Sequence, residues 1–139
     1  MRVLIDTNIA LDVLLKRTPH YENSAKVLVL SEKREMDAYI SASSITDIYY
    51  ITRKALKDKS AAIDLLRKLV NVVNVADVTG DTVHKALELG WDDFEDSIQY
   101  VAGENLLIEY IITRNPQDFE RSPISAVTPE NFLRHIFRF

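Results

Sequence analysis

Apolar positions along the chain alternate between short β-branched runs and longer stretches of helical spacing. The run at residues 2–5 ends at Asp6-Thr7-Asn8, residue types suited to a turn or a helix cap, and predicts a first strand. Residues 9–16 and 21–34 carry apolar side chains at helical intervals (Ile9, Val13 and Leu14; Ala25, Leu28 and Val29) on either side of a Thr18-Pro19 break, which predicts two helices. A second strand is expected at 36–41 and a third helix at 43–56, with Ile45, Ile48, Tyr49, Ile51 and Thr52 as its inner face. Residues 57–59 break that pattern. A helix over 61–69 then leads into the valine-rich 70–78, read as a third strand, and a helix over 82–89 closes at Gly90. A further helix spans 93–107, a short strand spans 110–113 before Arg114-Asn115-Pro116, and a last helix begins near Pro129.

Gaps this long between strands exclude hairpins and predict parallel strands joined by right-handed crossovers. The expected fold is α/β, a three-layer α/β/α arrangement with a central parallel sheet of four or five strands and helices on both faces. Ligands of such sheets bind beyond the carboxyl ends of the strands. There is no internal repeat, low-complexity tract or linker, and 139 residues suit one domain over 1–139.

Composition narrows the chemistry. With no cysteine, disulfides, thiolate zinc sites and cysteine nucleophiles are excluded, which favours a reducing cytoplasm. No apolar run approaches the ~20 residues of a membrane span, and the N-terminal run is too short for a signal peptide, so a cytoplasmic protein is expected. A net charge of −4 gives no overall attraction for a polyanion, so a nucleic-acid substrate would need bound cations.

Three aspartates fall where a site belongs. Asp6 ends the first strand, Asp47 falls in the first turn of the helix after the second, and Asp96 opens the helix at 93–107; Asp93 and Asp118 lie close to the same edge. Each has an ordinary explanation at a helix N-terminus: Ser44-x-x-Asp47 has the form of a capping box, Asp93 suits a cap, and Asn115-Pro116 suits a cap with Asp118 in the turn that follows. Together they repel, by up to about 4 kcal/mol per close pair at an effective dielectric of 20, in a domain stable by only ~5–15 kcal/mol. A cation resolves the conflict, and oxygen-only ligands suit Mg²⁺ or Mn²⁺ rather than zinc.

Val3-Leu4-Ile5-Asp6-Thr7-Asn8, Ser41-x-x-Ser44-x-x-Asp47, Asp93-Phe94-Glu95-Asp96 and Ile112-Thr113-Arg114-Asn115-x-x-Asp118-Phe119 together resemble the motifs of PIN domains, in order and over nearly the whole chain. The length is similar to that of VapC-type toxins, which are a bare PIN domain. The resemblance implies a PIN fold and a metal-dependent endoribonuclease that hydrolyses RNA and leaves a 5′-phosphate. It also implies a toxin, often a homodimer, neutralised by a small antitoxin. Carried over by residue, the catalytic, metal-holding acids fall on Asp6, Asp47 and Asp96, with Asp93 and Asp118 as further metal-site acids and Asn8, Thr113 and Asn115 in support. Two positions depart from the family pattern: Asp47 stands where Glu is commoner, and Asn115 where many members have Asp, which removes one charge from a second ion site.

Other features carry less. His20, His84 and His135 are scattered and form no ligand pair. Tyr49 and Tyr50 are read as core, with base stacking as the alternative. Arg114, beside the fourth motif, is the candidate RNA contact, while Arg53, Lys54, Lys57 and Lys59 suit either a phosphate track or a solvated helix end. The aromatic ending Phe132-Leu133-x-x-Ile136-Phe137-x-Phe139 suits a core helix or an oligomer contact. A haloacid-dehalogenase-type phosphatase needs a second acid where Asn8 stands, and a receiver domain needs an acidic pair near the first strand. The remaining alternative is a PIN domain that binds RNA or a protein without cutting.

Overall fold

The computed structural model describes residues 1–137. Its elements run β1 (Arg2–Ile5), α1 (Thr7–Leu14), α2 (Tyr21–Glu32), β2 (Asp37–Ser41), α3 (Ala42–Leu56), α4 (Lys59–Val72), β3 (Asn74–Ala76), α5 (Gly80–Leu89), α6 (Phe94–Glu104), β4 (Tyr110–Ile112), a 3₁₀ turn (Pro116–Phe119), β5 (Ser125–Val127) and α7 (Pro129–Asn131), which continues into a π-helical turn (Phe132–Ile136). The five strands are all parallel, in the order β3-β2-β1-β4-β5.

Alternation along the strands separates the two faces, as the two-residue period requires. Val3, Ile5, Ala38, Ile40 and Ile112 point into a core filled by Ile9 and Leu11 of α1, Val27 and Leu30 of α2, Ile48 of α3, Leu69 of α4 and Phe132 of the C-terminal turn. Leu4 and Ile111 point the other way, onto Ile108, Phe119 and Trp91. Ala86 of α5 with Ile98, Tyr100 and Val101 of α6 extend that side, and Trp91 stacks on Tyr100 at 5.3 Å. The three layers expected from the sequence are present. Gly103 lets α6 pack closely on β1: a Cβ there would lie 3.2 Å from Ile108 and 3.4 Å from Leu4, so even a methyl group would require the Ile108 side chain to give way by a few tenths of an ångström.

Several boundaries differ from the sequence reading. α3 starts at Ala42 because Ser41, leaving β2 in an extended conformation, caps it by accepting from the Ser44 N–H; Ser44-x-x-Asp47 is therefore not the capping box, and Asp47 falls in the second turn, not the first. Asp58 likewise caps α4 through the Ala61 N–H, so the helix begins at Lys59, two residues before the expected start. α4 then runs through Val70 and Val72, leaving only Asn74–Ala76 as strand, because packing of Leu66, Leu69 and Val72 on the core outweighs the β preference of the valines. α6 stops at Glu104 rather than 107, where Leu107 adopts a φ of 57° that no right-handed helix accepts. The sequence pattern outlines four strands of the four or five expected; the fifth, β5, is three residues at the sheet edge. Phe132, Leu133, Ile136 and Phe137 pack on the main core, while Phe139 lies outside the described residues. Among the described residues no helix is long and apolar enough to cross a membrane.

With β1 central, the chain passes to β2 and β3 on one side and to β4 and β5 on the other. A crevice opens where the strand order reverses, at the carboxyl ends of β1 and β4. There Asp6 follows β1 and Thr113 follows β4.

Candidate functional site

A cleft of about 340 Å³ lies at this edge and is lined by Asp6, Thr7, Asn8, Leu11, Asp47, Tyr50, Ile51, Asp93, Glu95, Asp96, Asn115 and Asp118. Four segments distant in sequence thus meet, and every acid singled out from sequence borders the same space. A larger groove of about 580 Å³ between α2 and the C-terminal turn has only Glu35 and Glu130 as acids, and Glu130 is paired with Arg134 at 3.2 Å. Size does not mark the site; carboxylate density does.

Asp6 is the most firmly held of these acids. It is 7% exposed and caps α1, its Oδ1 accepting from the Thr7 N–H at 2.7 Å and from Gln99 Nε2 at 3.1 Å. Its Oδ2 accepts from the Thr113 hydroxyl at 2.8 Å, and that hydroxyl accepts in turn from the Asn115 N–H at 3.1 Å. Thr113, fully buried beneath the cleft, therefore fixes Asp6 and the fourth-motif loop together. The Thr7 hydroxyl lies 2.8 Å from Ser44 Oγ and 3.0 Å from Glu95 Oε1, which joins α1, α3 and α6 at one point. Asp93 caps α6 through the Asp96 N–H at 3.1 Å, as expected, and so fills a capping role and a cleft-lining position at once.

Electrostatics distinguish this cleft from a set of separate helix caps. Among the described residues no Lys, Arg or His lines it. Burial pushes the Asp96 carboxyl from 3.8 up to about 7, and the charges of Asp93, Asp6, Asp118 and Glu95 push in the same direction. Glu95 rises to about 6 through burial, opposed by the Thr7 hydrogen bond and reinforced by Asp47 and Asp6. Negative charge is gathered here with no Lys, Arg or His among the described lining residues to answer it. Among the described residues no three His, Asp or Glu side chains stand ready-made as an ion cage, so the acids share a cleft rather than a preformed shell. The donor set is nevertheless all oxygen and under-neutralised, which fits a hard divalent ion.

A pH dependence follows for metal-depleted protein. Between about pH 5 and 7, Asp96 and Glu95 hold protons in the folded state that the unfolded chain has released, so stability falls as pH rises through this window and levels off above it. Melting in EDTA across that range checks the sign; a melting temperature that climbs from pH 5 to 7 contradicts it.

Beside the cleft, Arg114 has a partner that sequence reading did not supply. Its Nε lies 3.0 Å from Oδ2 of Asp12, a carboxylate with 0% exposure on the inner side of α1. The contact is an ion pair rather than an aligned hydrogen bond, since neither Asp12 oxygen has a hydrogen-bond partner among the described residues. Burial raises the Asp12 pKa, while Arg114, His20 and Arg17 oppose the rise. The guanidinium, 27% exposed, borders a neighbouring cavity of about 310 Å³ with His20, Asn23 and Ser24, not the acidic cleft. Arg53, Lys54 and Lys57 lie exposed at the carboxyl end of α3, where they complement its dipole.

Sequence reasoning also passed over Glu95, Gln99, Thr7 and the cleft position of Tyr50. Gln99 falls three residues after Asp96, a helical interval that a search for partners of Asp6 could have used. Tyr50 and Ile51, assigned to a core stripe, are exposed, and both border the cleft.

Comparison with known proteins agrees with this architecture. Ribonuclease VapC1 of Aquifex aeolicus is 26% identical over 136 residues, covering 94% of this chain and 92% of that protein. The solved structure of VapBC2 from Rickettsia felis, bound to a DNA fragment from its promoter, superposes with a TM-score of 0.70 at 18% identity, over 92% of this chain and 98% of that one. VapC20 of Mycobacterium tuberculosis, a toxin that cleaves the sarcin-ricin loop, superposes with a TM-score of 0.64 at 16% identity, over 78% and 86% of the two chains. At such identities the superpositions show a shared fold alone. The family model described as PIN domain matches residues 2–117, a span that contains β1, every residue lining the acidic cleft except Asp118, and the fourth motif through Asn115, and the chain accordingly belongs to the PIN-domain family.

Proposed function

We propose that the protein is a divalent-metal-dependent endoribonuclease, the toxin of a toxin–antitoxin pair, hydrolysing phosphodiester bonds of RNA in the cytoplasm. The observation that carries the reading is the convergence of Asp6, Asp47, Asp93, Asp96 and Asp118 on one cleft that no cation of the described residues lines. The similarity to Ribonuclease VapC1 over nearly the full length of both chains supports the activity, and the superposition on VapBC2 supports a small protein antitoxin as partner.

In this reading Asp6, Asp47 and Asp96 hold Mg²⁺ or Mn²⁺, with Asp93 and Asp118 completing the negative field and Asn8 and Asn115 offering neutral oxygens at the rim. Once bound, the ion supplies Lewis-acid activation of water and neutralises charge on the phosphate. Thr113, Gln99 and the Thr7 N–H keep the Asp6 carboxylate in one orientation, so that no rotamer freedom is lost when it is used. Glu95, held on the cleft wall by the Thr7 hydroxyl, is placed to accept a proton from water at the cleft. Asn115 places a neutral amide where many members of the family carry an acid, which limits the charge available to a second ion.

The test is cleavage of a single-stranded RNA by purified protein free of antitoxin. Cutting with Mg²⁺ or Mn²⁺ and its loss in EDTA are expected, with 5′-phosphate ends on the products. Binding of RNA without cutting under all metal conditions would establish the non-cleaving alternative instead.

A further inference from the structure

We propose that Tyr50 and Ile51 form a shelf that seats an unpaired nucleobase of the substrate beside the acidic cleft; this rests on the ribonuclease reading above. α3 presents two distinct faces. Ser44, Ile48 and Thr52, at intervals of four, are fully buried against the core. Asp47, Tyr50 and Ile51, at i, i+3 and i+4, share the other face, and all three border the cleft with Asp6 and Asp96. Tyr50 is 64% exposed and Ile51 is exposed as well, so neither is there to fill the core. The Tyr50 ring is nonetheless steadied: the Tyr49 ring meets it edge-on at 5.4 Å and 69°, and the Tyr49 hydroxyl accepts from Arg53 at 3.3 Å. An aromatic surface held on one side and open to water lies directly beside the carboxylates.

The charge of the cleft gives this surface its use. A wall of Asp6, Asp47, Asp93, Glu95, Asp96 and Asp118 offers a polyanion no counterion release, and an ion held there answers only the phosphate it touches. Grip on a base inside the cleft has to be non-ionic. Base–aromatic stacking meets that need, because it is indifferent to phosphate charge and tolerant of sequence. It also requires an open base face, which a single strand or loop presents and an A-form duplex does not.

The experiment is steady-state cleavage and fluorescence-anisotropy binding of a short labelled single-stranded RNA of mixed sequence, in Mn²⁺, by the parent, Tyr50→Ala and Tyr50→Phe. Tyr50→Ala is expected to raise KM and Kd roughly tenfold to a hundredfold with kcat changed by less than about twofold. Tyr50→Phe, which keeps the ring, should behave as the parent. The penalty of Tyr50→Ala should also shrink on an RNA with an abasic residue next to the cleaved bond. Because Tyr50 is exposed, its variants should melt with the parent, so a loss of RNA affinity is not a loss of fold. Unchanged KM and Kd in Tyr50→Ala, with cleavage intact, would overturn the shelf and leave the nuclease standing. So would an effect of Tyr50→Ala on self-association alone, which would assign the patch to a protein contact. RNA bound but uncut by the parent and released by Tyr50→Ala would keep the shelf and remove the nuclease, and a parent that neither binds nor cuts RNA would remove both.

Discussion

Asp96→Asn is expected to suppress RNA cleavage by more than about a hundredfold and, in the same protein, to raise the melting temperature of the metal-free form. Both effects have one origin. Asp96 is 8% exposed, and burial together with the charges of Asp93, Asp6, Asp118 and Glu95 lifts its pKa to about 7, so at about pH 8 the folded state carries an ionised group that the unfolded chain accommodates more easily. The difference from its ordinary value of 3.8 corresponds to a penalty on the order of 4 kcal/mol. The Asn side chain removes the charge at nearly constant shape but leaves a buried amide to be hydrogen-bonded, so only part of that penalty is recovered and a rise of several degrees is expected. Mn²⁺ should stabilise the parent, because it binds the folded state selectively, and should stabilise Asp96→Asn much less. Melting of both proteins with and without Mn²⁺ at fixed ionic strength, beside a cleavage assay, checks the pair of effects. A variant that loses activity and stability together would mark Asp96 as a structural residue instead.

Arg114→Met is expected to cost about 3–5 kcal/mol, because it strands the fully buried Asp12 carboxylate without its cation. The loss should be greatest at neutral and higher pH and should ease as pH falls, since Asp12, already raised by burial, then takes up a proton. Replacing both partners, Asp12→Leu with Arg114→Met, should recover most of the stability, as breaking a buried pair is costlier than removing it. Activity should not return in step. Arg114 lies between Thr113, which donates to Asp6, and Asn115, which borders the cleft, so the ion pair anchors the fourth-motif loop to α1. Urea melts of the two single variants and the double variant give the coupling directly, and a double variant no more stable than Arg114→Met would show that the pair is not what the loop depends on.

The sites legible in the sequence were those that a local rule places in space. A carboxylate at the end of a strand, another at the start of a helix and a parallel crossover topology are enough to bring Asp6 and Asp96 to one edge, because strand ends in such sheets are collinear. What escaped were pairings between segments with no fixed offset. Asp12 reads as an unremarkable polar position on α1 until β4 brings Arg114 against it. Tyr50 and Ile51 fit an apolar stripe on α3, and periodicity alone cannot tell a core face from a cleft wall; only the placement of α1 and α6 beside α3 decides it. Ser41 was hidden as a cap because it also ends a strand, and β5 because three residues carry too little pattern to stand out from a loop.

The most direct test of the central claim is anomalous diffraction from a crystal soaked in Mn²⁺ at millimolar concentration. A manganese peak within about 2.0–2.6 Å of carboxylate oxygens from both Asp6 and Asp96, absent from an Asp96→Asn crystal treated in the same way, is the predicted result. Well-ordered Asp6 and Asp96 side chains with no anomalous density between them would contradict it, and would reduce the acidic cleft to a set of neighbouring helix caps.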